Sequence, residues 1–143
     1  LAQADFTSFE ATEQGGVAVL DMTDAYRMNG CTKAERSFEL YNNRTSLKIS
    51  DNVKCIVNSD IYWFMHTKAD IEISEDGKTA ILTINGKQMK ASLNGDGEFS
   101  VMKAEGLKGK YEYDEDYSDI KKLTVHLEDI KSAKIIVNFE PVK

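Results

Sequence analysis

Two histidines, two cysteines, an acidic run and six tyrosines hold most of the reactive side chains of this 143-residue chain. A protein metal site needs ligands that converge, commonly two of them a few residues apart on one element. Neither His66 nor His126 has a Cys or a second His at such a spacing, so no metal site is expected. His66 reads either as a core histidine bonded to a neighbour or as a groove-facing functional residue. His126, between Val125 and Leu127, reads as an outward, half-exposed position. Asp114, Glu115, Asp116 and Asp119 offer carboxylate oxygens, but without the spaced ligands, central glycine and terminal Glu of a calcium loop. A solvated charge run is the expectation there. There is no nucleophile elbow and no phosphate-cradling glycine loop. No catalytic residue and no cofactor is therefore assigned. Asn43, Arg44 and Thr45 form a glycosylation acceptor, which matters only in a host that glycosylates.

Aromatic rings offer a different chemistry, because their faces stack on sugar rings as readily as they fill cores. Tyr111, Tyr113 and Tyr117 lie in a polar, acidic stretch without strand alternation, residues 106–122, which reads as a surface loop. With His66 they are the candidates for carbohydrate contact. Trp63, the single tryptophan, sits among apolar neighbours and reads as core.

The element that must position these groups is the run DIYWFMHT at 60–67. As a strand it points Ile61, Trp63, Met65 and Thr67 one way and Tyr62, Phe64 and His66 the other. Both sets are bulky, so coverage on both faces is expected. Around it, short β-rich runs alternate with Gly, Asn and Asp turns. Strands are expected at 6–10, 17–23, 36–41 and 47–50, the last resuming at 53–57 after a bulge at Asp51 and Asn52. Residues 24–33 read as a loop. Asn85-Gly86, between two β-rich runs, predicts a tight hairpin. No window shows sustained helical periodicity. About eleven short strands in one antiparallel β-sandwich follow.

Composition sets the limits. With 41% hydrophobic and 29% charged residues the chain suits a single globular domain spanning 1–143. Its formal charge of -6, from 24 acidic against 18 basic residues, offers nothing to a polyanion. Nucleic acid is not an expected partner, and no apolar run is long enough for a membrane-spanning helix. Cys31 and Cys55 are too few for a disulfide scaffold, and spacing alone does not decide whether they pair. The first residue is Leu1, so a processed product or a piece of a longer chain is expected.

Five segments in order carry a family resemblance: VAVLDMTDAY at 17–26, ERSFELY at 35–41, LKISD at 47–51, YWFMHT at 62–67 and ADIEI at 69–73. Together they resemble the carboxy-terminal β domain of the heparinase II/III-like polysaccharide lyases. The resemblance implies a parent with an amino-terminal helical toroid, exported to the periplasm or secreted, that cleaves uronic-acid glycans by β-elimination. The family's catalytic Tyr and one His come from the toroid. A second catalytic His, with metal ligands in some members, comes from a His-rich motif at the start of the β domain. That motif has no counterpart here, so no catalytic residue carries over, and His66 resembles a family position in a Trp-x-x-His-Thr strand that is structural or supports the site from behind. The implied role is a non-catalytic tail that braces the toroid and lines part of the cleft, its partners being that toroid and, through it, the glycan. A domain that itself gripped an anionic glycan would be basic, so the charge of -6 fits a tail. The alternatives are a free-standing carbohydrate-binding module and a structural surface domain.

Overall fold

The computed structural model describes residues 2–104 and 117–142. The elements are β1 (Asp5–Thr12), β2 (Gly15–Asp21), α1 (Thr23–Tyr26), a 3-10 turn (Arg27–Asn29), β3 (Cys31–Tyr41), β4 (Ser46–Thr67), β5 (Asp70–Ile73), β6 (Thr79–Ile84), β7 (Lys87–Gly95), β8 (Phe99–Lys103) and β9 (Lys121–Pro141). Hydrogen bonding joins the strands in the order β1-β2-β3-β4-β9-β7-β6-β5, with β8 on β9. Every pairing is antiparallel.

The ribbon of β4 and β9 organises the rest. Its register runs from Leu47↔Phe139 to Lys54↔Ser132 and again from Ile61↔Leu127 to Thr67↔Lys121, with a break between Lys54 and Ile61. There the ribbon folds over on itself. One half joins β1–β3 and β5–β7 in a wide layer, and the other half joins β8 in a narrow three-stranded layer. Alternation on each strand then faces a common core. Trp63, Leu123, Val125 and Phe99 from the narrow layer meet Leu82, Leu93, Ile135, Val137 and Phe139 from the wide one. Burial of each large apolar side chain contributes roughly 1.5–3 kcal/mol.

The antiparallel sandwich expected from the sequence is present, but with nine strands among the described residues. Three of the expected short strands, 47–50, 53–57 and 60–67, are parts of one long strand of 22 residues, and its partner has 21. Asp51 and Asn52 are in register with both neighbours, so the irregularity lies at 54–61 and not where the polar pair suggested it. The expected loop at 24–33 instead contains α1, the 3-10 turn and the start of β3.

The Asn-Gly hairpin is as predicted. Ile84 faces Lys87 across the turn, and Asn85 and Gly86 have φ of 51° and 73°. A Cβ on Gly86 would meet nothing within 4 Å, so the left-handed backbone alone resists substitution. Gly86→Ala is expected to cost about 1–2 kcal/mol by urea unfolding. A neutral result would show that the turn relaxes freely.

Candidate functional site: an uncovered sheet face and its cleft

The wide layer is broader than the layer that covers it. Register places Phe9, Ala18, Phe38 and Ile49 in one row, and Phe6, Leu20, Arg36 and Asp51 in the next. Ile49 and Val137 in the first row pack at the core. Toward β1 the same face runs out from under the narrow layer. Phe6 is 68% and Phe9 73% exposed, and Leu20, Phe38 and Leu40 are only half-buried. A row of aromatic and aliphatic side chains in water forgoes burial free energy unless something covers it.

Between the layers, beside this face, opens a cleft of about 620 Å³. Arg36, Asp51 and Ile135 line one wall, Ile61 and Trp63 the other, and Tyr26 lies at the edge. Arg36 grips Asp51 in bidentate fashion, Nε to Oδ1 at 2.7 Å and a terminal nitrogen to Oδ2 at 2.9 Å. The Asp51 side chain is 7% exposed, and that fork compensates its carboxylate inside the cleft. Trp63, 3% exposed, has no hydrogen-bond partner for its buried indole N–H among the described residues.

The segment beside the cleft is tied down locally. Met22 N–H donates to the Ala34 carbonyl, and Ala34 N–H donates to Thr23 Oγ1. Thr23 also donates to Asp21, which holds that carboxyl below its ordinary range. Cys31 and Cys55 line the same cleft. Burial, helped by the neighbouring Cys55 sulfur, pushes the Cys31 thiol up to about 11. A second cleft, of about 610 Å³, opens at the other side of the core and is lined by Met65 with Leu47, Leu82, Met89 and Phe139.

The second face of the Trp63 strand is open, correcting the expectation that both faces are covered. Tyr62 is 46% exposed, Phe64 is exposed, and His66 is an exposed side chain and not a core histidine. The ring of Tyr62 stacks on His126 at 3.9 Å and on Phe64 at 5.4 Å, and Lys122 sits over Phe64 at 4.5 Å. His66 meets the edge of Phe64 at 6.5 Å. This layer has bulky side chains on both faces because cross-strand stacking, not a second cover, occupies the outer one.

Of the proposed sugar contacts, Tyr111 and Tyr113 lie outside the described residues. Tyr117 is 39% exposed, in a turn whose Asp119 pairs with Lys68 at 2.9 Å. That pairing brings the turn to the end of β4 where His66 lies. No three His, Cys, Asp or Glu side chains among the described residues gather to hold a metal.

The family model described as heparinase II/III-like, C-terminal, matches residues 2–139. The chain belongs to this family. Solved structures of similar fold include a heparinase III gene product, with TM-score 0.73 and 16% identity. Another is the heparan sulfate lyase HepC from Pedobacter heparinus, with TM-score 0.70 and 10% identity. In both cases 99% of this chain aligns, to 22% of the other. The heparinase II/III-like domain thus spans about a fifth of those relatives' length. Comparison with curated proteins finds no match. No helix among the described residues is long and apolar enough to cross a membrane.

Sequence reasoning placed Trp63 in the core of this heparinase II/III-like domain, and it is there. It missed the Arg36–Asp51 pair and the uncovered Phe6 and Phe9. Opposite charges in adjacent runs give no signal until strand register is known.

Proposed function

We propose that this domain is the non-catalytic carboxy-terminal tail of a periplasmic or secreted polysaccharide lyase that cleaves uronic-acid glycans by β-elimination. In this reading its role is mechanical: it braces the catalytic part of the parent chain and contributes to one side of the cleft. The observation that carries the reading is the bare part of the sheet face, with Phe6 and Phe9 exposed and Leu20, Phe38 and Leu40 half-buried. A sheet built from this sequence leaves part of its own apolar face bare, while the solved relatives have about four-fifths of their chain in addition. Packing that further chain on the bare rows recovers the missing burial.

The test uses the parent chain and the 143 residues side by side. The 143 residues alone are expected to release no unsaturated uronate from heparan- or alginate-type glycans; turnover by them would overturn the proposal. In the parent, Phe6→Lys with Phe9→Lys is expected to loosen the tail, so that limited proteolysis frees it faster than from the unaltered protein. An unchanged cleavage rate would mean that these rows face solvent in the parent as well.

A second reading, a carbohydrate-binding module, is favoured by one observation: the open aromatic face of Tyr62 and Phe64, with His66 and Tyr117 toward one end. Tyr111 and Tyr113 belong to the same proposed contact. Glycan binding by the 143 residues that disappears on replacing the three loop tyrosines would support it.

A further inference from the structure

We propose that Cys31 and Cys55 are an oxidative modification site, at which an intrachain disulfide closes between β3 and β4. The two residues face each other as register partners. Ile56 N–H donates to the Gly30 carbonyl at 2.9 Å, so Gly30 and Ile56 are joined by a ladder hydrogen bond. The adjacent Cys31 and Cys55 therefore occupy a non-hydrogen-bonded position, where antiparallel Cα atoms lie about 4.5 Å apart. That spacing falls within the roughly 4.4–6.8 Å that disulfides span. The two Sγ atoms are in contact, 2.7 Å apart. They are within an ångström of the disulfide bond length of about 2.05 Å.

The location gives the bond a purpose. Lys54 pairs with Ser132 and Ser59 with Ile130, but the intervening residues of β4 have no partner on β9. Ile56 and Val57 are 65% and 53% exposed there. This is the fold-over of the central ribbon, and on its other side β3 supplies one register partner among the described residues, Cys31 to Cys55. A covalent link at that point replaces ladder bonds that the fold-over removes. It also anchors the 3-10 turn beside the Trp63 cleft.

The oxidant is a disulfide, either a small-molecule one such as oxidised glutathione or that of a thiol–disulfide exchange protein. Cys31 is half-buried and Cys55 buried, so Cys31 is the reachable sulfur. Its thiolate attacks one sulfur of the oxidant, forming a mixed disulfide and expelling one thiolate. The Cys55 thiolate then attacks Cys31 Sγ and expels the second. The two protein thiols are oxidised, the external disulfide is reduced to two thiols, and the two protein protons pass to those leaving groups.

The experiment is to treat the folded, reduced protein with oxidised glutathione, alkylate under denaturing conditions, and digest without reductant. Both cysteines are expected to resist alkylation, and tryptic peptides 28–33 and 55–68 to appear as one species that reductant splits. Reduction should then lower the thermal midpoint of the native protein and leave that of Cys31→Ser with Cys55→Ser unmoved. Two alkylatable thiols after oxidation would overturn the proposal. So would glutathione held on Cys31 with Cys55 free, or a bond found only between two chains.

Discussion

Trp63→Ala is expected to remove about 3–5 kcal/mol of unfolding free energy, read from urea denaturation of the 143-residue chain. The ring is 3% exposed and belongs to the core that spans both layers. Truncation leaves a void where the narrow layer meets the wide one, and that layer has only three strands with which to close it. Domains of this size have about 5–15 kcal/mol in total, so the variant lies near the limit of folding. Trp63→Phe separates packing from polarity. It keeps most of the volume and deletes an indole N–H that has no partner among the described residues, so its cost should fall well below that of the alanine variant. Equal losses in the two variants would show that the indole nitrogen is satisfied in solution.

The second large effect concerns the charge pair of the cleft. Asp51→Ala is expected to cost about 3 kcal/mol, the low end for a buried pair, because the Arg36 side chain is 27% exposed and can draw on solvent. The deletion strands a guanidinium against Ile135 and Trp63 in the cleft. Replacing both partners, Arg36→Met with Asp51→Leu, should recover much of that loss, since no charge is then left unpaired. If the double replacement is as damaging as Asp51→Ala, the pair holds the strand register and is not merely a compensated burial.

The sandwich was legible because its signals are local. Asn85-Gly86 needs positive φ at both residues, and period-two alternation marks Ile135, Val137 and Phe139 without knowledge of partners. The family resemblance was likewise legible in the order of five short segments. The uncovered face was not, because Phe6 and Phe9 are three residues apart and reach one face only through the irregularity between Phe6 and Ser8 in β1. Only the width of one layer against the other shows that their row lies outside the cover. The fold-over at 54–61 was hidden for a similar reason: residues 55–57 are apolar and β-rich, and nothing in them announces the loss of a partner on β9. Bulk on both faces of 60–67 suggested two covers, where the outer set stacks on its own neighbours instead.

The central claim is that these residues are the tail of a much longer enzyme, and the size of the native protein tests it most directly. An antibody raised against this domain should detect, in extracts of the source cell, a band several times larger than the 16.1 kDa of this chain. A single band near that mass would contradict the account, because it would leave no chain to cover Phe6 and Phe9 and no catalytic part to brace.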